Sequence, residues 1–543
     1  ALKHKDKVNV AYLGGSVTVG VGSSDYETAS WRAQVGNWLK SEYGDKVNNI
    51  NAAIGATGSY FGSYRANQDT QLDGPNVPDL LFIEFAINDI YDLRTAKQID
   101  VDYESIILQA YKANPKINII TVFTMDIDIA NNIINTGKEN SVPFTEQRAV
   151  AAHYGLPQIN VGQALISVIK SEYENEGKTF SVSDSSDKNS IWHKYITDSC
   201  HPGDAGYKVY ADTVLDYLKA QLQGNSVTRS ESVYNDIALP TTYASKVGME
   251  SHLKRNGHYI NFSDAKFDES QLNGWKLNDE GEIVTQYNNA SFAFIFKGTA
   301  VGFNNWGSPI SGSVAYTITA TDDSSVKYTG TVSLKKNYSP GLPFPAELKT
   351  GLADREWKVE CIIKDGGYGD VAYLRQIYID GDVSSIKQAA APETEISDLP
   401  SKYMSAELDI TKLNDSNNDA GTGKLLTNVN FEGRSNAVSV SKGSATSEIV
   451  SLNGENEISN IDISNKRYMI VDYYYTGASA VQMKWQYTVA DSSVIEKSSE
   501  LVAGKWSTAV IPLTEDGFNN GITKYKFMPF GDKTQASAGD VLY

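Results

Sequence analysis

A serine at the end of an apolar run is the first residue of this chain with a type and position suited to chemistry. The run begins at Lys7, and Gly14-Gly15-Ser16 ends it. Open α/β sheets usually bind ligands at the carboxyl ends of their strands, and the glycines would let a substrate approach the backbone closely. Ser16 is therefore a candidate nucleophile, although Gly-Gly-Ser is also ordinary loop composition.

A candidate base lies far along the chain. Asp198 and His201 are three residues apart on one loop, which Pro202 and Gly203 end. A carboxylate at this spacing can hydrogen-bond the imidazole, fix its tautomer and stabilise the imidazolium that forms during acyl transfer. Such a pair also arises by chance, because most histidines are core or surface groups. The pair alone does not establish a base.

Two further segments offer donors for a developing oxyanion. Asn88 follows the apolar run that begins at Ile83, and one amide donor of this kind is worth roughly 3–4 kcal/mol in a transition state. The small residues Gly55 and Ala56 follow another apolar run, where a backbone N–H can point into a cleft. The competing interpretation is that both segments merely turn the chain.

The elements that must position these residues predict an α/β domain over residues 1–223. Strand-like runs alternate with amphipathic stretches, which is typical of a parallel sheet with helices on both faces. The predicted strands are Val8–Leu13, Val47–Ala53, Leu80–Phe85, Ile117–Phe123 and Gln158–Val161. The predicted helices are Ser30–Tyr43, Asp102–Ala113, Phe144–Tyr154, Gly162–Glu174 and Asp204–Leu222.

The rest of the chain has an all-β pattern. Polar segments over 223–236 and 384–402 predict linkers. Between them, residues 237–383 predict a β-sandwich of jelly-roll type, and residues 403–543 predict a C-terminal β-sandwich, a candidate carbohydrate-binding module. The runs of the first sandwich are Ser291–Phe296, Ser313–Thr319, Val326–Ser333, Trp357–Ile363 and Val371–Ile379. The last residues resemble the start of a strand, so we expect the natural protein to continue.

The composition limits which kinds of partner the chain can bind. With 48 basic and 66 acidic side chains the formal charge is −18, and such a surface repels nucleic acid and anionic lipid. No run approaches the roughly 18–20 apolar residues of a membrane span. The two cysteines are too few for a disulfide scaffold or a cysteine-based zinc site. Neutral polymers such as polysaccharides remain open as partners.

The four segments, in this order, resemble the blocks of the SGNH hydrolases, also called the GDSL family. Ser16 matches the family's nucleophile, Asn88 its asparagine donor, and His201 its base with Asp198 as partner. The resemblance covers residues 7–222. It implies a three-layer flavodoxin-like domain and an acyl-enzyme mechanism that requires neither a metal nor an organic cofactor.

The chain departs from the family pattern in two blocks. Gly15 replaces the aspartate of the name motif, as in many carbohydrate-associated members, and Ala86 stands where the third block usually has glycine. The resemblance implies that the N–H groups of Ser16 and of either Gly55 or Ala56, with the Asn88 amide, hold the oxyanion.

The appended β regions resemble those of multimodular carbohydrate esterases. That resemblance implies an esterase that removes acetyl groups from plant polysaccharide or oligosaccharide, such as xylan, mannan or pectin. It also implies a secreted or cell-surface protein whose signal peptide has been removed. Two alternatives stay open: a lipid or thioester hydrolase of the same superfamily, and a non-catalytic carbohydrate-binding protein with a degenerate domain.

Three further residues are candidate substrate contacts, each with a structural alternative. Arg65 either touches substrate or anchors the loop of the second block. Trp192 either lines the acyl pocket or packs under the loop of the base. Trp306 lies either at a loop tip or in the core of the sandwich, since tryptophan is mostly buried on average.

Overall fold

The computed structural model of the chain describes most residues up to 396 and a set of strands beyond them. The described residues are 2, 5–92, 94–139, 141–223, 239–307, 311–335, 344–366, 372–396, 414–415, 425–431, 434–441, 452–453, 468–477, 481–489, 494–512, 522–528, 537 and 539–543.

A five-stranded parallel sheet forms the centre of the N-terminal region. Its strands are β1 (Val8–Gly14), β2 (Val47–Ala53), β3 (Leu80–Glu84), β4 (Asn118–Phe123) and β5 (Gln158–Asn160), in the order β2-β1-β3-β4-β5. All of β1 is buried. Val10 and Tyr12 face one apolar core, whereas Ala11 and Leu13 face another. Because successive side chains of a strand point to opposite faces, both faces of the sheet are covered, as predicted.

Helices cover both faces and connect the strands. Several begin at side-chain caps, including Ser30, Asp126 and Asn160, whose oxygens accept from backbone N–H groups of the first turn. The helices are α1 (Ser16–Val19), α2 (Trp31–Tyr43), α3 (Ser59–Asp69), α4 (Ala86–Tyr91), α5 (Ala96–Ala113), α6 (Ile127–Thr136), α7 (Val142–His153), α8 (Val161–Asn175), α9 (Trp192–Tyr195), α10 (Asp204–Gln223) and α11 (Tyr243–Lys246). Short 3-10 turns cover Val182–Ser185, Glu250–His252 and Glu269–Gln271.

The register of the sheet brings three of the predicted segments to one edge. Gly14, the last residue of β1, pairs with Ala53 of β2 and with Glu84 of β3. The segments that follow these three residues therefore start side by side. They carry Ser16, the Gly55-Ala56 turn and Asn88.

The region that follows is antiparallel and all-β, as predicted. The long strand β9 (Ser291–Asn305) pairs with β12 (Phe344–Lys349), β13 (Arg355–Lys364) and β14 (Ala372–Ala389). Its phenylalanines pack into one apolar core with Trp275 and Trp357. The strands are β6 (Gly257–Asn261), β7 (Lys276–Leu277), β8 (Ile283–Thr285), β9 (Ser291–Asn305), β10 (Ser313–Ala320), β11 (Lys327–Ser333), β12 (Phe344–Lys349), β13 (Arg355–Lys364) and β14 (Ala372–Ala389).

The prediction of a linker from Ser384 is wrong for its first residues. Strand β14 continues to Ala389, because Lys387, Gln388 and Ala389 pair with β9 after an irregularity in the register. Residues 397–402, like the first predicted linker over 224–236, lie outside the described residues.

The described part of the C-terminal region consists of antiparallel strands. They are β15 (Asn414–Asp415), β16 (Leu425–Phe431), β17 (Arg434–Ser441), β18 (Leu452–Asn453), β19 (Tyr468–Tyr474), β20 (Val481–Val489), β21 (Val494–Leu501), β22 (Trp506–Pro512), β23 (Ile522–Met528) and β24 (Val541–Leu542). Among all the described residues, no helix combines the length and the apolar character that crossing a bilayer requires.

Candidate active site

The turn between β1 and α1 presents Ser16 as the first residue of a short helix. The side chain of Asn88 crosses this turn: a Cβ atom at position 15 would lie 2.0 Å from Asn88 Oδ1. Glycine at position 15 is thus what allows the asparagine to approach the serine turn. The turn also leaves the Ser16 N–H in the first turn of α1, where helix N–H groups have no partner within the helix.

A hydrogen-bonded chain links Ser16 to His201 and Asp198. Ser16 Oγ lies 2.8 Å from His201 Nε2, and His201 Nδ1 lies 2.6 Å from Asp198 Oδ2. The other carboxylate oxygen, Asp198 Oδ1, accepts from the backbone N–H groups of Cys200 and His201, each at 2.8 Å. The carboxylate therefore fixes both the ring of His201 and the backbone that carries it. The serine, histidine and aspartate predicted from distant segments meet here.

The surroundings of this loop shift the pKa values of Asp198 and His201 in opposite directions. Burial acts to raise the pKa of Asp198, but hydrogen bonds from the His201 ring and from the two N–H groups outweigh it and lower that pKa to about 2. Burial acts to lower the pKa of His201, but hydrogen bonds to Asp198 and Cys200 outweigh it, so this pKa is raised above 6.5. Asp198 thus stays ionised and stabilises a proton on the ring during acyl transfer.

Trp192 supports the loop from below. Its indole N–H donates to the carbonyl of Asp198 at 2.7 Å, its ring packs against Phe180, and none of the side chain is exposed. Of the two predicted roles, packing under the loop fits this burial and contact with substrate does not.

The second-block turn shows one backbone feature suited to an oxyanion donor. Ala56 has a φ of 56°, in the left-handed region that a residue with a Cβ atom rarely enters. A residue in this conformation changes the direction of the neighbouring backbone N–H groups. The assignment of Gly55 or Ala56 as donor stays a prediction. Asn88 lies against Gly15, the residue before Ser16, and its role as an oxyanion donor also stays a prediction.

Arg65 is fully buried behind this turn. Its guanidinium donates to the carbonyls of Ala52 and Gly14 and to Thr57 Oγ1. The anchoring role predicted as an alternative fits these contacts, whereas contact with substrate does not.

Trp306 is partly buried in the all-β region, where its indole N–H donates to Glu282 Oε1 at 3.2 Å. Its contact with substrate stays a prediction.

Sequence reasoning missed Glu84, a buried carboxyl directly beneath the serine turn. It accepts from Thr18 Oγ1 at 2.8 Å, from Thr124 Oγ1 at 3.0 Å and from the Gly15 N–H. Burial raises its pKa, and the three donors oppose that shift. Glu84 therefore ties β3, α1 and the chain after β4 together. The available signal was an acid within the apolar run Leu80–Phe85.

Asp89, next to Asn88, was missed in the same way. Its carboxylate accepts from the backbone N–H of Ser59 at 2.7 Å, from the Ser59 hydroxyl and from Gln147 Nε2. The contact joins the start of α3 to the helix that carries Asn88. It thus couples the second and third blocks.

One group of described side chains has the donor types of a metal site: Asp198, Cys200 and His201, whose ligand atoms lie within 4.8 Å of one another. Two of these groups are already engaged in the hydrogen-bonded chain to Ser16. The arrangement therefore matches a proton-transfer chain at least as well as a metal site.

A known protein family matches the part of the chain that carries this site. The model of the GDSL-like lipase/acylhydrolase family matches residues 12–209, which include Ser16, Asn88, Asp198 and His201. The matched residues form the GDSL-like domain of this chain. A search of curated proteins finds no match.

Solved structures extend the likeness beyond the GDSL domain. A two-domain esterase (CEX) active on acetylated mannans is 19% identical, with a TM-score of 0.51, over 70% of this chain and 92% of its own. The acetyl xylan esterase AlAXEase is 17% identical, with a TM-score of 0.30, over 39% of this chain and 100% of its own. The lipase/acylhydrolase from Enterococcus faecalis is 17% identical, with a TM-score of 0.29, over 39% of this chain and 96% of its own. The first of these is a two-domain protein, and this chain shares its fold over 70% of its length.

Proposed function

We propose that this chain is a serine esterase that removes acetyl groups from plant cell-wall polysaccharide, such as mannan, xylan or pectin, outside the cell. The observation that carries the proposal is the hydrogen-bonded chain from Ser16 through His201 to Asp198, with Asn88 beside the serine. This set supplies a nucleophile, a base, an orienting acid and an oxyanion donor, which are the parts that acyl transfer needs.

The reaction follows from these positions. His201 Nε2 takes the proton of Ser16 Oγ as the oxygen attacks the ester carbonyl, and Asp198 stabilises the imidazolium. The Ser16 N–H, the N–H of Gly55 or Ala56, and the Asn88 amide hold the oxyanion. The imidazolium then protonates the leaving sugar hydroxyl, which leaves an acetyl-serine. Water, activated by the same ring, releases acetate and restores Ser16.

The choice of a glycan ester rests on two observations. The esterase that shares the two-domain fold is active on acetylated mannans. In this chain, Tyr91 lies one helical turn after Asn88, and 63% of its side chain is exposed. Partial burial first, and then the charges of Asp126 and Cys200, raise the pKa of Tyr91 to about 12. An exposed aromatic face at this point suits the apolar face of a sugar ring.

The test compares acetate release from acetylated mannan, xylan and pectin by the wild type and by Ser16→Ala. We expect release by the wild type alone. Tyr91→Ala serves as a matched substrate probe: it should raise KM on the polysaccharide and leave hydrolysis of p-nitrophenyl acetate unchanged.

Three results would contradict the proposal. Equal release by both proteins would exclude Ser16 as nucleophile. Hydrolysis of long-chain esters with no release from any glycan would favour the lipid or thioester alternative. A folded wild type that cleaves no ester would favour a non-catalytic binding protein.

A further inference from the structure

Strand β6 of the all-β region is hydrogen-bonded to helix α3 of the GDSL domain. Gln68 Oε1 accepts from the Tyr259 N–H at 2.7 Å, and Gln68 Nε2 donates to the Tyr259 carbonyl at 3.0 Å. One residue earlier on the helix, Asn67 Nδ2 donates to the Gly257 carbonyl at 3.0 Å. The helix side chains thus bind the backbone of β6 much as a neighbouring strand would, and they fix where Tyr259 lies.

The approach of the two elements is close enough to require glycine. A Cβ atom at position 257 would lie 2.1 Å from the Ser63 carbonyl oxygen and 2.9 Å from Tyr64 Cα. Aromatic rings also pack across this contact: Tyr60 and Tyr64 of α3 lie against Tyr378 of β14. The contact between the GDSL domain and the sandwich is therefore specific rather than incidental.

Tyr259 reaches from this contact to a buried ion pair. Its hydroxyl donates to Asp69 Oδ1 at 2.8 Å, and the other oxygen, Asp69 Oδ2, accepts from Arg65 Nη1 at 3.0 Å. The side chain of Arg65 is fully buried and that of Asp69 is 13% exposed. A carboxylate in this position needs partners for both oxygens, and the sandwich supplies one of them.

Arg65 in turn forms hydrogen bonds to both ends of the second-block turn. Its Nη1 donates to the Ala52 carbonyl at 2.5 Å, and its Nη2 donates to Thr57 Oγ1 at 3.1 Å. The same Nη2 donates to the Gly14 carbonyl at 3.0 Å, two residues before Ser16. The guanidinium therefore holds both ends of the turn and connects them to the serine turn.

The turn is one that needs such support. Ala56, between the two bracketed ends, adopts a left-handed conformation that is unfavourable for a residue with a Cβ atom. Such conformations persist only where the surroundings hold them. A loosened bracket would let the turn relax and would move the N–H groups that face the oxyanion.

We propose that Tyr259, Asp69 and Arg65 form a positioning relay through which the β-sandwich holds the oxyanion turn of the GDSL domain. None of the three touches substrate; they act through the backbone of residues 52–57. The inference rests on the proposed esterase activity for its kinetic readout, although the relay itself is a structural claim.

The test compares two tyrosine variants of the same interface in the full chain. Tyr259→Phe removes the hydroxyl that faces Asp69. Tyr378→Phe is the matched control, because its hydroxyl pairs with that of Tyr60 and not with the relay. We expect Tyr259→Phe to lower kcat on p-nitrophenyl acetate about three- to tenfold with little change in KM, since tenfold corresponds to 1.36 kcal/mol of transition-state stabilisation. Tyr378→Phe should keep the wild-type kcat.

Asp69→Asn and hydrogen exchange complete the design. The relay predicts that Tyr259→Phe adds little in the Asp69→Asn background, because residues acting in one chain are not additive. It also predicts faster amide exchange over residues 52–58 in Tyr259→Phe than in Tyr378→Phe. This second readout does not depend on activity.

Two results would overturn the relay: equal kcat losses in Tyr259→Phe and Tyr378→Phe, or unchanged exchange of residues 52–58 in Tyr259→Phe. A wild type that cleaves no ester would overturn the proposed function instead and would leave the exchange experiment to decide the relay.

Discussion

The catalytic loop and the oxyanion turn are held in place by different means. The carboxylate of Asp198 is 50% exposed, and its partners on the loop lie within three residues of it. The turn around Ala56 is instead held by the fully buried Arg65, whose contacts reach to Gly14 and, through Asp69, to Tyr259 of the sandwich.

The difference separates the proton-transfer half of the site from the oxyanion half. The catalytic loop is a local motif that short-range hydrogen bonds can form wherever the chain places it. The turn around Ala56 contains a left-handed residue and, in the proposed relay, depends on contacts between the GDSL domain and the all-β region. Variants that act on one half should therefore leave the other half intact.

Asp198→Asn should produce the largest effect of the variants that sharpen this contrast. An amide cannot stabilise the imidazolium or favour the same tautomer, so kcat should fall about 10⁴-fold. The measurement is kcat on p-nitrophenyl acetate for a variant whose melting temperature matches that of the wild type. A loss below about tenfold would show that Asp198 does not orient the base.

Asn88→Ala should produce the next largest effect, on the oxyanion half. Loss of one oxyanion donor costs roughly 10²–10³ in kcat, with KM little changed. A melting temperature equal to that of the wild type would show that the fold is retained. A rise in KM at constant kcat would instead assign Asn88 to substrate binding.

Two isosteric threonine variants compare the halves directly. Thr57→Val removes the hydroxyl that accepts from Arg65 and donates to the Ile54 carbonyl, so kcat should fall about tenfold from loss of buried hydrogen bonds. Thr197→Val removes a hydroxyl that donates to the His201 carbonyl, but the Thr197 N–H donates to the same oxygen at 2.8 Å. That redundancy should keep kcat within about twofold of the wild type. Equal losses would remove the distinction between the two halves.

The pH dependence should show the smallest effect. Activity needs the neutral ring of His201, whose raised pKa keeps the proton on to a higher pH than usual. The acid limb of kcat/KM should therefore lie above pH 6.5, and activity should rise through it. Cys200→Ala removes one partner that raises this pKa, since Cys200 Sγ lies 3.6 Å from His201 Nδ1. The limb should then move to lower pH, by less than about one unit. A limb at or below pH 6.5 in the wild type would contradict the assignment.

The sheet and the proton-transfer half could be predicted from the sequence because their signals are local. Strand β1 is apolar except at Asn9, and the Asp198–His201 pair lies within four residues. The order of the four blocks then identified the family. The structure adds that the blocks meet at one edge because Gly14 pairs with both Ala53 and Glu84.

The support of the oxyanion half could not be predicted in this way. Helix α3 was missed because its buried residues include polar ones such as Arg65 and Asn67, so its sequence does not separate an apolar face from a polar one. It also contains Gly62, and glycine has low helix propensity. Its partner Tyr259 lies 190 residues from Asp69. No local periodicity reports a contact of that range, and the strand that carries Tyr259 was not among the predicted runs.

Covalent trapping would show whether Ser16 is the nucleophile that His201 activates. The wild type and His201→Ala would be treated with diethyl p-nitrophenyl phosphate and digested, and the adducts located by mass spectrometry. We expect one adduct, on Ser16 of the wild type, with loss of esterase activity in step with labelling, and no adduct in His201→Ala. Full inactivation with Ser16 unmodified, or equal labelling of both proteins, would contradict it.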